Sequence, residues 1–255
     1  MIFLSSIEPV YYFLPLIGFI VGLLGSMMGG GGGFFFLPTL SLIIGVPAQI
    51  AVVTSLVATL PICLFGTISH YNKANIHIRM AILFSATGFI GALLGVAIAD
   101  LLSSEQLKKV FGIYSIVMAL IIAFTIRRQN EDKKSGSNRI KAPFFGLFAG
   151  VATGALSISG TTPILAGLLS LRLSTKTAIG TSLVIILSNT LFSAGAHFVV
   201  GQIDFTLVLF LTAGSSIGAL IGPRLLDRIK NDHTESFKYL YAAVMIISGT
   251  LMIFK

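Results

Sequence analysis

The sequence predicts an all-α polytopic membrane protein of two inverted-topology repeats, each a glycine-broken helix pair, spanning or re-entrant, plus three transmembrane helices. Three observations predict it: apolar runs of bilayer length, a self-match between the two halves of the chain, and an uneven placement of Lys and Arg. Of the 255 residues, 55% are hydrophobic and 10% charged, too little polar surface to cover a soluble fold. Runs such as 81–99, 178–200 and 205–221 are each long enough to span as helices, whereas barrel strands would be half as long and alternate.

A shift of 127 residues aligns "TSLVATLPICLFGTISH", 54–70, with "TSLVIILSNTLFSAGAH", 181–197. It also pairs "GALLG", 91–95, with "GALIG", 218–222, and Asp100 with Asp227. A two-residue adjustment pairs Pro38 with Pro163, which sets "GSMMGGGGGFFFLP", 25–38, beside "GALSISGTTPIL", 154–165. The expected units are a first transmembrane repeat, 1–126, a polar cytoplasmic linker, 127–142, and a second repeat, 143–255.

The spans fall near 48–70, 79–100 and 105–126, then near 175–199, 204–223 and 237–254. Ahead of each triplet lies a broken pair, 9–28 with 34–45 and 143–157 with 161–171. A pair that starts and ends on one side, followed by three crossings, gives each half an odd count, so the halves point opposite ways. Placing the linker inside leaves only Lys108, Lys109 and Lys255 of the 17 basic residues outside, as the positive-inside rule requires. Both termini then face outward.

Five consecutive glycines weaken a helix, and non-helical backbone at membrane depth survives only within protein or beside a water-filled cavity. Helices opening at Phe34 and Thr161 would present N–H groups and partial positive charge, which suits an anion. Gly30, Gly31, Gly32, Gly33 and Gly160 allow close backbone approach. Thr54, Ser55, Ser159, Thr161, Thr162, Thr181, Ser182 and Asn189 offer neutral donors. For the two Thr-Ser pairs, packing and helix back-bonding compete with ligand contact. The spacings Gly91/Gly95, Gly146/Gly150/Gly154 and Gly214/Gly218/Gly222 read as helix-packing seams. His70 and His197 are interfacial structural histidines or proton relays; Asp100 and Asp227 read as helix-end residues, and Phe34 to Phe36 as a gate or a lipid face.

Several classes are excluded. The formal charge of +8 is scattered between spans and forms no nucleic-acid patch. Cys63 is the sole cysteine, so there is no intramolecular disulfide and no cysteine metal cage. No metal or other cofactor is expected: HExxH is absent, and the glycine run lacks the Lys-Ser/Thr ending of a phosphate loop. The N-terminus lacks the charged region and cleavage site of a signal peptide. Carboxylates are missing from the span centres, which argues against a cation cargo. The expected partners are the lipid bilayer, a small anionic substrate and a coupling ion, the proton; oligomeric state has no sequence marker. An intramembrane enzyme and an anion channel are the competing readings.

The blocks "GLLGSMMGGGGGFFFLPTL", "QIAVVTSLVATL", "SISGTTPIL" and "GSSIGALIGPRLLD" resemble those of the TauE/SafE sulfite-exporter family over nearly the whole chain. The resemblance implies a transporter of the inner or plasma membrane that moves sulfur-containing anions such as sulfite, thiosulfate or organosulfonates. In the second block, Ser157 and the Ser-Gly-Thr-Thr run stand where family members are richer in glycine.

Overall fold

The computed structural model describes residues 2–129, 142–228 and 231–254. A 3-10 turn, Pro9–Phe13, leads into α1 (Leu14–Met28). The short α2 (Gly33–Pro38) continues as a π-helical stretch, Thr39–Ile44. Three long helices follow: α3 (Ala48–Tyr71), α4 (Ile78–Leu101) and α5 (Ser104–Gln129). The second half repeats this order with α6 (Ala142–Leu156), α7 (Thr161–Ser170), α8 (Thr175–Val200), α9 (Phe205–Arg228) and α10 (Asn231–Phe254). Two strands of two residues each, β1 (Ile2–Phe3) and β2 (Ile203–Asp204), pair in parallel, Ile2 with Ile203 and Phe3 with Asp204.

Among the described residues, six helical stretches are long and apolar enough to cross a membrane: Pro9–Met28, Ala48–Tyr71, Ile78–Leu101, Ser104–Phe124, Thr175–Val199 and Phe205–Leu225. The chain is thus an all-α polytopic membrane protein. The apolar stretches Gly33–Ile44, Pro143–Leu156, Thr161–Ser170 and Tyr239–Phe254 are shorter. The helix ends lie within a few residues of the expected ones, except that α5 runs to Gln129, α9 runs to Arg228 and α10 begins at Asn231. Most of the expected linker, with Lys133, Lys134, Arg139 and Lys141, lies outside the described residues, as does the Asp227 side chain.

The two halves interleave. α1 lies along α9, α4 along α6, α5 along α10 and α3 along α8; α3 also packs on α9, and α8 on α4. Exchanging each element of the first half with its counterpart in the second returns the same set of contacts. Lipid supplies no hydrophobic drive between helices, so close packing of small residues must do so. Gly18 and Gly22 of α1 lie against Leu211 and Ser215 of α9, while Gly214 and Gly218 of α9 lie against Pro15 and Phe19. Gly88, Gly91 and Gly95 of α4 meet Gly150, Leu147, Val151 and Gly154 of α6 in the same manner. The expected packing role of these glycine spacings is what the structure shows.

The central pair, α3 and α8, runs antiparallel. A methyl at Gly201 would lie 2.9 Å from Val53 Cγ2, one at Gly66 3.0 Å from Leu183 Cδ1, and one at Gly180 3.0 Å from His70 Cβ. Each helix also receives the loop that follows the other. Thr54 Oγ1 accepts from Asp204 N–H at 3.2 Å, and Thr181 Oγ1 accepts from His77 N–H at 2.9 Å. Both the threonines and their partners are related by the 127-residue shift. Asp204 and His77 in turn head the next helices: Asp204 Oδ1 accepts from Thr206 and Leu207 N–H at 3.1 and 3.3 Å, and His77 Nδ1 from Met80 N–H at 3.4 Å. Pro47 and Ser174 start α3 and α8, the latter accepting from Thr177 N–H at 3.2 Å, in keeping with helix-start chemistry.

Gly150→Val would drive its side chain onto the Gly88 carbonyl and should lower stability by about 1–3 kcal/mol, read as a fall in the Tm of the purified protein. Gly195→Ala, with nothing within 4 Å of the added carbon, should leave Tm unchanged. Thr54→Val and Thr181→Val each strand a backbone N–H and should each cost about 1–3 kcal/mol, by the same measurement.

Candidate functional site

The glycine run breaks its helix at defined points. Gly29 ends α1 in the left-handed region, φ 70°, its N–H donating to Gly25 O. Gly31 and Gly32 are also left-handed, φ 62° and 83°, conformations in which a side chain is strained. Gly32 N–H donates to Gly30 O at 2.7 Å, and α2 begins at Gly33. The second break follows the same course at its two ends, although Ser159, opposite Gly31, is not left-handed. Ser157 is left-handed at φ 56°, Gly160 at φ 54°; Gly160 N–H donates to Ile158 O at 2.6 Å, and α7 begins at Thr161.

The backbone therefore matches Gly29 to Ser157 and Gly32 to Gly160, an offset of 128, and not the offset that pairs Pro38 with Pro163. Pro163 is the third residue of α7, where the missing N–H costs nothing. Pro38 is the sixth of α2, where it removes a helical hydrogen bond, and the chain passes there into the π-helical stretch. The two prolines serve different positions and do not mark a shared register.

The breaks meet. Gly33 N–H donates to Ser159 Oγ at 3.2 Å, and the Gly33 Cα sits against the Ser157 carbonyl. Gly30 lies beside Thr161, whose Oγ1 would be 3.2 Å from a side-chain carbon there. α3 and α8 wall the junction. Around Gly31 stand Cys63 Sγ, Thr59 Cγ2 and Ile186 Cγ2, all within 3.1 Å of a carbon added at that glycine. Ser182 Oγ donates to Gly29 O at 2.9 Å and to Ile179 O at 2.8 Å, which pins the first loop.

The N–H groups of Phe34, Thr161 and Thr162 donate to no acceptor among the described residues, as the first turn of a helix leaves them. Ser55 and Ser157 are buried, and their hydroxyls have no hydrogen-bond partner among the described residues. Thr59 Oγ1 bonds back to Ser55 O at 2.8 Å. The junction thus presents amides and hydroxyls with no charged side chain among the contacts that form it. Among the described residues no group of His, Cys, Asp and Glu is placed to hold a metal ion.

Of the residues anticipated from sequence, Gly30 to Gly33, Ser159, Gly160, Thr161 and Ser182 come together at the two loops, and Thr162 lies half-buried in the first turn of α7. The Phe34 ring points away. It stacks on Phe111 at 5.6 Å and meets Phe35 and Tyr241 edge-on, which clamps α2 to α5 and α10. With Phe34 and Phe36 both buried, the lipid-face reading of these two rings is set aside. Thr54 and Thr181 hold the inter-half ties described above. Asn189 faces Gly88 of α4. His70 is buried beside Gly180, and the His197 ring bonds Gly154 O at 2.8 Å; the two histidines occupy opposite ends of the α3–α8 pair. Sequence reasoning passed over Thr59 and Cys63, although Thr59 lies one turn beyond Ser55 and the spacing alone would have placed it on the same face.

A cavity of about 310 Å³ opens where α3 begins and α8 ends, lined by Gln49, Val53, Asp100, Leu107, His197 and Gln202 among others. It sits at one end of the same central pair that walls the loops.

Comparison with known proteins agrees with this architecture. The sulfite exporter TauE/SafE family profile matches residues 14–252. The chain is 25% identical to the probable membrane transporter protein YdhB of Bacillus subtilis, over 94% of this chain and 98% of that protein. It is 28% identical to a probable membrane transporter protein of Xylella fastidiosa, covering 84% of this chain and 82% of that one. A Methanocaldococcus jannaschii protein of the same description is 26% identical over 94% of both chains. No solved structure matches. The extent of the family match, from the first residue of α1 almost to the end of α10, makes this chain a member of the TauE/SafE sulfite exporter family of membrane transporters.

Proposed function

We propose that the protein is a secondary transporter of a small sulfur-containing anion, sulfite, thiosulfate or an organosulfonate, that works by alternating access with the substrate held where the two glycine loops meet. The observation that carries this reading is the junction itself: two helix starts, one from each half of the chain, with the Phe34, Thr161 and Thr162 amides free. Each start carries a fraction of a positive charge, roughly half a unit, in a protein-enclosed setting where charge is screened less than in bulk water. Unpartnered Ser55 and Ser157 hydroxyls add donors for an oxyanion.

The halves act as inverted repeats. The antiparallel run of α3 against its counterpart α8 and the exchange-symmetric helix contacts support this reading, and an interface between such repeats is where transporters of this design bind their cargo. The basic residues orient the protein with the linker in the cytoplasm and both termini outside. With no nucleotide-binding motif in the chain, an ion gradient is the energy source, and His70 and His197 are the groups available to couple it to protons. The relatives' description as probable membrane transporter proteins supports a carrier over an enzyme.

The test is a current measurement on a solid-supported membrane with reconstituted protein, challenged with sulfite, thiosulfate, methanesulfonate, sulfate and chloride, with and without a pH gradient. Labelled-substrate flux covers electroneutral exchange. Saturable transport of a sulfur anion is expected. Gly31→Val and Gly160→Val should abolish it without blocking insertion, because both positions are left-handed and closely surrounded. Normal transport by either variant would remove the loops from the site, and flux that never saturates would make the protein a channel.

A further inference from the structure

Serines in α8 ordinarily hide their hydroxyls by bonding back to the helix. Ser182 Oγ donates to Ile179 O at 2.8 Å and Ser188 Oγ to Val184 O at 3.1 Å. Three neighbours do otherwise. Among the described residues Thr190 Oγ1, Ser193 Oγ and both amide atoms of Asn189 have no hydrogen-bond partner, although none of these residues is more than 1% exposed. Buried polar groups are very rarely left so, and here they cluster within two turns of one helix.

Their spacing of three and four residues puts Asn189, Thr190, Ser193 and His197 on a single face. That face has two known ends. Toward the start of α8 it continues through Ile186 to Gly31 and through Ser182 to Gly29, at the loop junction. Toward the end of α8 it reaches His197, which lines the cavity shared with Asp100 and Gln202.

α3 contributes to the same half of the molecule. Val53 lies at Gly201, while Cys63 and Ile186 both lie at Gly31, so residues 53–63 run alongside 186–201. Within that stretch Ser55 Oγ is also unpartnered. Beyond Gly31 the pair is closed: Leu183 covers Gly66, and Gly180 is shut against the Asn75 carbonyl and His70. Between the cavity and the loops, Ser55, Asn189, Thr190 and Ser193 place unpartnered polar groups along α3 and α8, where they would cost the full desolvation of a polar group if dry.

We propose that the Asn189–Thr190–Ser193–His197 face of α8 lines a hydrated path along which a small oxyanion travels between the cavity at Asp100 and Gln202 and the glycine loops, ending at the Leu183–Gly66 contact. Water fills the path when no anion is present. Its amide and hydroxyl donors solvate a single negative charge in transit without trapping it as a buried Lys or Arg would. The identity of the cargo rests on the transporter reading; the hydration of the path does not.

The two are separable by thiol accessibility. Full-length protein with Cys63→Ala carries one new cysteine, Ser193→Cys, Asn189→Cys, Leu183→Cys or Gln202→Cys, and is reconstituted and treated with 2-sulfonatoethyl methanethiosulfonate. Thiolate forms only where water reaches, so Ser193→Cys and Asn189→Cys should react at least about tenfold faster than Leu183→Cys. Methanesulfonate should slow them severalfold. Gln202→Cys, at the exposed cavity mouth, reports that the preparation is folded. Reaction of Ser193→Cys and Asn189→Cys no faster than Leu183→Cys, with Gln202→Cys reactive, would overturn the path. Fast reaction that methanesulfonate does not slow, in protein that carries no sulfur anion, would leave the path standing and remove its proposed cargo.

Discussion

Everything in this fold depends on the rule that a backbone amide or carbonyl inside a membrane must be paired or wetted. Two stretches of the chain, 29–32 and 157–160, break that rule locally and are tolerated because each is enclosed by the other and by α3 and α8. Gly33 N–H finds Ser159 across the junction, and the Gly29 carbonyl finds Ser182. The amides left over belong to first turns, which have no helical acceptor to offer them. Such a set of unpaired amides suits an anion, which is the ground of the proposed function.

Enclosing those loops requires helices that approach one another closely, and the glycine seams provide this. α1 against α9 and α4 against α6 bring backbone to backbone, since at Gly18, Gly150, Gly214 and Gly218 even a methyl would meet a carbonyl oxygen. Because each seam joins a helix of one half to a helix of the other, neither half can form its enclosure alone. The aromatic cluster of Phe34, Phe35, Phe111 and Tyr241 completes the frame by fastening the short α2 to α5 and α10.

Much of this was legible from sequence because membrane helices advertise themselves by length and apolarity, and a run of five glycines has few explanations. The partners were less legible. Glycine spacings mark a seam without saying which helix fills it, so the crossing of α1 onto α9 and α4 onto α6 could not be read from them. Proline misled as an anchor, since Pro38 and Pro163 occupy different turns of their helices. Thr54 and Thr181 looked like ligand donors because a hydroxyl's partner, when it comes from residue 204 or 77, leaves no local trace. Ser193 and Thr190 carry no motif at all; only their shared burial without partners sets them apart.

The ties at Thr54 and Thr181 are equivalent in the backbone, but the residues that follow them are not. At one end the loop is headed by Asp204, a carboxylate that caps α9 through two amides; at the other by His77, whose Nδ1 accepts a single long bond at the start of α4. Asp204 satisfies two first-turn amides where His77 satisfies one, and each such bond is worth about 1 kcal/mol. A duplicated architecture thus carries two helix starts that are capped unequally at its opposite ends. The work needed to unwind the first turn of α9 differs from the work needed to unwind that of α4, so the symmetry of the scaffold does not extend to the free energies of its two ends.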